Sequence, residues 1–255
     1  MARIFVTGST DGLGRAAAAA LMGKGHSVVL HARNAARAAS IADLERGSGG
    51  LVIGDLALRS ETLRLADQVN ALGRMDAVIH NAGIYTQSER AATPEGHPRV
   101  LAVNVLAPYL LTALLTRPER LVYLSSGLHR GGEPSLADLE WTARRWNGMQ
   151  AYSDSKLYLT ALAFAVARRW PGVRSNAVDP GWVRTRMGGP NAPGDVETGS
   201  RTQAWLAATD DPEAAASGYW FHGRRREPAA AVLDPEFQDA VVGELARLTG
   251  VELPA

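Results

Sequence analysis

Short apolar runs alternate along the chain with longer stretches in which apolar residues recur every three to four positions. The runs have the composition of β-strands, and the stretches have the period of α-helices. This pattern predicts strands at 3–6, 27–32, 51–56, 75–80, 120–125, 172–178 and 217–223. It predicts helices at 15–22, 59–72, 99–115, 151–170, 198–208 and 234–248.

Strands that alternate with helices build a parallel sheet covered on both faces, so the expected fold class is α/β with a doubly wound sheet of about seven strands. No repeat or linker divides the chain, and we predict one domain over residues 1–255. The connection at 128–150 is longer than a compact domain normally uses, which indicates a functional or mobile segment. Residues 186–200 are rich in Gly, Pro and Asn, and we predict a substrate-binding flap over 186–215.

Composition narrows the class of protein. Hydrophobic residues make up 46% and charged residues 21%, and the formal net charge is +1. These values are ordinary for a globular protein and give no reason to expect nucleic acid or an anionic membrane as a partner. The chain has no cysteine, which excludes disulfides, thiolate zinc sites and cysteine nucleophiles. The histidines show no metal-binding spacing, so no metal is expected, and the lack of a signal-peptide pattern predicts a cytoplasmic location.

A glycine-rich segment, Thr7-Gly-Ser-Thr-Asp-Gly-Leu-Gly14, joins the first predicted strand to the first helix. In such a loop Gly8 permits a tight turn, Gly12 lets the backbone approach a pyrophosphate, and Gly14 lets the helix pack closely on the strand. The helix N-terminus offers free N–H groups and a positive dipole end to phosphates. Strand, loop and helix in this order predict a dinucleotide site more strongly than a plain turn.

Three later strand ends carry candidate cofactor contacts. The second strand ends at Arg33 with no acidic residue nearby. An acid there would bind the ribose 2′-hydroxyl of NAD, whereas an arginine pairs with the 2′-phosphate of NADP, so this end favours NADPH unless Arg33 is simply a solvated loop residue. Asp55 and Leu56 end the third strand, and Asn81-Ala-Gly83 follows the fourth, where small residues let the backbone pass close to a flat ring.

Polar residues in apolar surroundings mark a candidate catalytic site. Asn104 lies inside the apolar helix predicted at 99–115, where a buried amide needs a partner. Ser125 and Ser126 end the fifth strand, on the edge where open α/β sheets bind ligands. Tyr152 and Lys156 lie four residues apart and share one helix face. A lysine there favours the phenolate and lowers the tyrosine pKa from about 10, which suits proton exchange with a substrate oxygen.

In their order and spacing, these motifs resemble those of the short-chain dehydrogenase/reductase family. The motifs are Thr7-Gly8-x-x-x-Gly12-x-Gly14, Asn81-Ala82-Gly83, Asn104, Ser126, Tyr152-x-x-x-Lys156 and Pro180-Gly181-x-Val183-x-Thr185. The resemblance covers essentially the whole chain and implies a single-domain Rossmann fold with strand order 3-2-1-4-5-6-7. The long gap between Ser126 and Tyr152, and the tail Gly218-Tyr-Trp-Phe-x-x-Gly-Arg-Arg, are similar to the branch with retinol dehydrogenase-like and protochlorophyllide reductase-like enzymes.

The resemblance also implies residue roles. Tyr152 would be the general acid in reduction and the base in oxidation, Lys156 would tune its pKa and bind the nicotinamide ribose, Ser126 would polarise the substrate carbonyl, and Asn104 would hold a water of a proton relay. The cofactor would contact Thr7, Gly8, Ser9, Asp11, Gly12, Leu13, Gly14, Arg33, Asp55, Leu56, Asn81, Ala82, Gly83, Tyr152, Lys156, Pro180, Gly181, Val183 and Thr185.

Two departures from the family pattern matter. His80 stands where the family often has asparagine, and we expect it to be structural. The basic residue that many NADPH-dependent members carry inside the glycine loop is absent, because Ser9, Thr10 and Asp11 occupy those positions. The preference for NADPH therefore depends mainly on Arg33.

The expected function is hydride transfer between NADPH, with NAD(H) as a second option, and the carbonyl or alcohol of a small molecule. Aromatic and apolar residues on segments near the site motivate an apolar or aromatic substrate; they are Trp141, Trp146, Trp182, Tyr85 and Met187. Two alternatives stay open, namely reduction of an activated C=C bond and a non-catalytic NADP(H)-sensing regulator. Pairing through the helices of Asn104 and Tyr152, implied by the resemblance, predicts a homodimer or homotetramer.

Overall fold

A computed structural model describes all 255 residues. The strands are β1 (Arg3–Val6), β2 (Ser27–Ala32), β3 (Gly50–Ile53), β4 (Ala77–His80), β5 (Arg120–Leu124), β6 (Arg174–Asp179), β7 (Gly218–Phe221) and β8 (Arg224–Arg226). The α-helices are α1 (Gly12–Gly23), α2 (Ala35–Ala39), α3 (Ala42–Glu45), α4 (Arg59–Ala71), α5 (Arg99–Leu101), α6 (Ala107–Leu114), α7 (Gly148–Arg169), α8 (Val196–Ala208) and α9 (Pro235–Thr249).

The strands form one sheet in the order β3-β2-β1-β4-β5-β6-β7-β8. Every neighbouring pair from β3 to β7 is parallel, and separate buried clusters fill the two faces. The predicted doubly wound α/β fold is therefore confirmed. The order reverses between β1 and β4, and this switch point opens a crevice at the carboxyl ends of the strands. No helix combines the length and the apolarity that crossing a bilayer would require.

An eighth strand was not predicted. β8 pairs antiparallel with β7 through the register Phe221↔Arg224, which leaves a two-residue turn. Both turn residues have positive φ, +48° for His222 and +74° for Gly223, as a tight hairpin turn requires. The strand consists of three exposed arginines, so it lacks the apolar alternation by which strands are recognised.

The predicted helix at 99–115 is interrupted. It consists of α5, a π-helical segment at Ala102–Leu106, and α6. The prediction missed α2 and α3 as well, because helices of five residues or fewer are too short to show a 3.6-residue period. The other predicted elements are present, with ends shifted by a few residues.

The long connection at 128–150 is folded against α7. The Arg144 guanidinium donates to the Asp154 carboxylate at 2.7 Å and stacks over the Trp141 ring at 3.7 Å. The Tyr158 hydroxyl of α7 donates to the carbonyl of Ser135 at 2.8 Å. Because Asp154 is buried, its charge needs Arg144 as a partner. This ion pair and the bond from Tyr158 hold the connection in place.

Close packing at the start of α1 yields a stability prediction. A Cβ added to Gly14 would lie 2.3 Å from Asn81 Nδ2 and 2.4 Å from the Gly8 carbonyl oxygen. We expect Gly14→Ala to destabilise the protein by about 1 to 3 kcal/mol, as overpacking does. Gly23→Ala, at the other end of the same helix, meets no atom within 4 Å and should be neutral or slightly stabilising. Urea unfolding of both variants checks this, and equal effects would contradict it.

Candidate active site

The glycine-rich loop is held open at the switch point between β1 and β4. Gly8 and Gly12 have φ of +66° and +50°, which side chains rarely adopt. Asn81 Nδ2 donates to the carbonyls of Thr7 and Gly8, at 3.0 and 3.3 Å. A Cβ on Gly12 would come within 3.3 Å of Thr185 Cγ2, so Thr185 faces the loop across a narrow space. The predicted loop residues and Thr185 thus lie together.

Asp11 caps the N-terminus of α1. Its side chain accepts from the Gly12 N–H, and its other oxygen lies 3.2 Å from Arg37 and 3.9 Å from Arg186. Partial burial raises the pKa of Asp11, but the hydrogen bonds from Arg37 and Gly12 outweigh it and hold the pKa below its ordinary value. Asp11 is an anion beside the predicted phosphate site, and two arginines lie close enough to offset its charge.

The predicted adenosine end lies on the same edge of the sheet. Arg33 is exposed at the end of β2. Asp55 follows β3, where its Oδ1 accepts from the Ala57 N–H at 2.9 Å, and Leu56 packs in the core. Asp55 thus stabilises the turn before α4, and its contact with adenine stays a prediction.

Asn104 lies at the centre of the π-helical segment and is fully buried. Its Oδ1 accepts from the Ile84 N–H at 2.8 Å, and its Nδ2 donates to the Ile84 carbonyl and to Ser155 Oγ, both at 3.0 Å. The Ser155 hydroxyl donates to the carbonyl of Tyr152 at 2.7 Å. The amide is satisfied on both sides and connects the π segment to the helix of Tyr152. Such π segments are often found at functional sites.

Tyr152 and Ser126 meet where α7 begins. The tyrosine is buried, and its ring packs edge-on against Tyr85 with 4.7 Å between centroids. Burial raises the pKa of Tyr152 to about 12, while a hydrogen bond with the Ser126 side chain acts in the opposite direction. The prediction that Lys156 lowers the pKa of Tyr152 is therefore wrong, because burial dominates and also shifts Lys156 toward its neutral form.

Lys156 is buried, and its Nζ donates to the Leu124 carbonyl at 2.7 Å. It lies 5.6 Å from the centre of the Tyr152 ring. Burial lowers the pKa of Lys156 to about 8, and the charge of Asp179 partly offsets this shift. A Cβ on Gly83 would lie 3.3 Å from Asn104 Oδ1 and 3.5 Å from Lys156 Nζ, so glycine at this position keeps the space beside both groups free.

Asp179 is a site residue that the sequence reasoning missed. Its Oδ1 accepts from the Gly181 N–H at 2.9 Å, and its Oδ2 accepts from the Tyr219 hydroxyl at 3.2 Å. A Cβ on Gly127, which follows Ser126, would meet Oδ2 at 3.1 Å. Asp179 immediately precedes the Pro180-Gly181 motif at the end of β6. This position next to a recognised motif is the feature of the sequence that could have identified it.

Large apolar side chains are exposed on three segments that border Tyr152 or the Pro-Gly motif. Their exposed fractions are 60% for Trp182, 46% for Met149, 44% for Met187 and 40% for Leu128. Tyr85 connects Met149 to Tyr152, since its ring packs against Tyr152 and its hydroxyl lies 3.8 Å from Met149 Sδ. Of the predicted pocket residues, Trp141 is instead buried and packs edge-on against Trp146 at 5.2 Å.

The arrangement fits a dinucleotide. The N-terminus of α1, with Gly8 before it and Gly12 at its first position both at positive φ, has the features of a phosphate site. The switch-point crevice leads from that loop to a buried tyrosine, lysine and asparagine that could serve proton transfer. Fold and site together define an NAD(P)-dependent oxidoreductase.

Comparisons agree with this class. A family profile described as enoyl-(acyl carrier protein) reductase matches residues 8–221. The short-chain dehydrogenase chry4 of Gibberella zeae is 40% identical over the full length of both chains. Human retinol dehydrogenase 13 is 29% identical over 99% of this chain and 86% of its own.

Solved structures are also similar. An uncharacterized protein from Mycobacterium paratuberculosis has a TM-score of 0.84 and 26% identity, covering 100% of this chain and 96% of its own. A short-chain dehydrogenase from Burkholderia cenocepacia, solved with NADP, has a TM-score of 0.68 and 25% identity, covering 87% of this chain and 96% of its own. The chain belongs to the short-chain dehydrogenase/reductase family, as its motifs predicted.

The lysine pKa yields a pH prediction. The ammonium of Lys156 persists below its pKa of about 8 and is lost above it. Because kcat/KM reports the ionisation of the free enzyme, kcat/KM for NADPH should fall as the pH rises through that value. Lys156→Arg should move the fall to higher pH, since a guanidinium stays protonated. The exposed Lys24→Arg is the matched control, and an unchanged profile in Lys156→Arg would contradict a role for the charge.

Proposed function

We propose that this chain is an NADPH-preferring oxidoreductase that interconverts a carbonyl and an alcohol on an apolar or aromatic small molecule. The observation that carries the proposal is the convergence of buried Tyr152, Lys156 and Asn104 next to Gly83, whose neighbour Ala82 packs against Gly8 of the glycine loop. Bound nicotinamide would supply the hydride, and the protein would supply orientation and charge.

The proton chemistry follows from the positions of the side chains. A tyrosine with a raised pKa stays protonated at neutral pH, which is the form that a general acid must have. A pKa of about 12 makes it a weak acid, so a nearby positive charge would have to stabilise the phenolate as the proton leaves. Ser126 neighbours the phenol and would donate to the same substrate oxygen. Lys156 would place its positive charge near the phenolate left after proton transfer, and Asn104 would support a route by which the proton is replaced.

Reduction of a C=C bond is the second candidate. The description of the family profile as enoyl reductase favours it. The name of the retinol dehydrogenase relative favours carbon–oxygen chemistry. Both reactions need a hydride and a tyrosine proton, so product analysis must separate them. A non-catalytic sensor of NADP(H) is the weaker alternative, because the chain keeps the full tyrosine, lysine, serine and asparagine set.

The apolar substrate class is supported by the exposed side chains around the site. Exposure of large apolar surface costs free energy in water, so apolar side chains exposed next to a reactive group favour an apolar ligand that would cover them. Residues 186–195 lie between the Trp182 segment and α8, and Trp182 Nε1 donates to the Gly188 carbonyl at 2.8 Å. We assign the substrate-binding flap mainly to these residues, because the rest of 186–215 includes α8, which packs on α1.

Replacement of the catalytic tyrosine tests the mechanism. Tyr152→Phe should lower kcat about 100-fold or more, because it removes the proton donor, while NADPH binding is retained. The measurement is nicotinamide absorbance with aromatic ketones, enones and small charged ketones, followed by product analysis. Wild-type rates in Tyr152→Phe would contradict the mechanism, and a preference for small charged ketones would contradict the substrate class.

We base the proposed preference for NADPH on Arg33, which is exposed at the end of β2. The NADP bound to the Burkholderia protein is compatible with this preference. Arg37 lies close by in sequence, but Asp11 holds it at 3.2 Å. Arg33 is therefore the cation that we assign to the 2′-phosphate.

Arg33→Gln should raise the KM for NADPH about 10- to 100-fold, the usual value of a charged hydrogen bond, and leave the KM for NADH nearly unchanged. Arg46→Gln, at an exposed site after α3, controls for general charge effects. Equal changes for both cofactors would show that Arg33 does not read the 2′-phosphate.

The homodimer or homotetramer was expected to pair through the helices of Asn104 and Tyr152. Residues 151–163 of α7 are all buried within the single chain. The C-terminal segment helps to cover these helices within the chain. Tyr109 of α6 donates to the carbonyl of Val251 at 2.8 Å, and Trp170 after α7 donates to the carbonyl of Pro254 at 2.7 Å. We propose that any oligomer uses another surface. If so, surface charges introduced on α7, such as Arg168→Glu, should leave the mass measured by light scattering unchanged.

The cytoplasmic location stays a prediction.

A further inference from the structure

His31 connects two loops of the proposed cofactor site. It lies on β2 and is 2% exposed. Its Nδ1 lies 2.8 Å from the Gly8 nitrogen, and its Nε2 lies 2.8 Å from the Gly54 carbonyl oxygen. Its backbone N–H donates to Ser9 Oγ at 2.7 Å. One imidazole therefore joins the glycine loop to the turn that carries Asp55.

The partners of the ring determine its tautomer. The Gly8 N–H can only donate, so Nδ1 must offer a lone pair. The Gly54 carbonyl can only accept, so Nε2 must carry the hydrogen. Both contacts therefore require the neutral imidazole with its proton on Nε2. A doubly protonated ring would direct an N–H at the N–H of Gly8, and that contact would be lost.

We propose that His31 is a positioning residue for the dinucleotide: as the neutral Nε2–H tautomer it fixes the backbone at Gly8, and its protonation loosens the loop and weakens cofactor binding. This inference rests on the proposed placement of the pyrophosphate at the glycine loop. Because the Gly8 amide already donates to His31, it would not bind phosphate itself. The contact would shape the loop, and the amides nearer the start of α1 would bind the phosphate.

The surroundings of the ring are compatible with a neutral histidine. Burial lowers its pKa, and the hydrogen bond to Gly54 and the charge of Asp55 oppose the shift without reversing it. Phe5 of β1 presents a ring edge with 6.5 Å between centroids. The glycine loop contributes the uncharged Ser9, and Asp55 is the charged group on the β3 side. Phosphates of a bound cofactor would attract a charged imidazole and so strengthen binding in acid. Loosening of the loop would instead weaken binding in acid, so the sign of the pH dependence distinguishes these two effects.

The experiment compares NADPH dissociation constants, measured by nicotinamide fluorescence, in wild type and His31→Asn between about pH 5 and 8. Asparagine can still accept from Gly8 but does not titrate, so its affinity at neutral pH should stay within about threefold of wild type. As the pH falls through the pKa of His31, wild type should lose more affinity than the variant, by up to about tenfold for each unit by which cofactor binding lowers that pKa. The 2′-phosphate of NADPH also titrates near pH 6, but equally for both proteins.

His26→Asn is the matched control. His26 Nδ1 also accepts from a backbone N–H, that of Ala2 at 3.2 Å, but at the opposite end of the same strands. It should keep the wild-type pH dependence. Nitrogen NMR of wild-type His31 provides a second measurement that does not depend on the variant folding, and it should show the neutral Nε2–H tautomer at neutral pH.

Two results would overturn the inference. One is that wild type binds NADPH normally at neutral pH but either shows the same pH dependence as His31→Asn or binds more tightly in acid. This result would reject the role of His31 and leave the proposed function standing. The other is an Nδ1–H or doubly protonated ring at neutral pH. If wild type bound no NADPH at any pH, the proposed function would fail as well, so the two failures are distinguishable.

Discussion

The burial of residues 151–163 of α7 on all sides is the constraint on which much of the structure depends. Its middle carries charged and hydroxyl groups into the core, where an unpaired polar group is costly. Each is satisfied by a different element. Lys156 donates to the carbonyl of Leu124 in β5, Ser155 accepts from Asn104 of the π segment, and Asp154 pairs with Arg144 of the long connection. The buried polar groups of α7 therefore determine what its neighbours must supply, and the packing that satisfies them also brings the candidate site residues together.

Burial also shifts the ionisation of Tyr152 and Lys156. It raises the pKa of Tyr152 to about 12 and lowers that of Lys156 to about 8, so both groups are driven toward their neutral forms. Asp179 opposes this for the lysine and reinforces it for the tyrosine. A site of this kind keeps the phenol protonated until a substrate oxygen accepts the proton, which is compatible with the reduction that we propose.

The glycine loop is likewise held by hydrogen bonds from other elements. Asn81 accounts for two of its carbonyls, His31 for the Gly8 amide, and Gln203 of α8 lies 3.4 Å from the Leu13 carbonyl. A loop whose conformation is fixed before binding loses less entropy when a ligand arrives. This preorganisation gives a physical reason for residues outside the recognised motif to affect cofactor affinity.

The sequence by itself determined the order of strands and helices, the α/β class and the family, because apolar periodicity and glycine spacing are local properties of the chain. It also identified Tyr152, Lys156, Asn104 and Ser126 as candidates. Only the tertiary structure decided the π segment at Asn104, the β8 hairpin and the docking of residues 128–150. It also revealed the direction of the Tyr152 pKa and the contacts of His31 and Asp179. These depend on which distant groups surround a side chain and how much water they exclude, and neither is written in the spacing of residues along the chain.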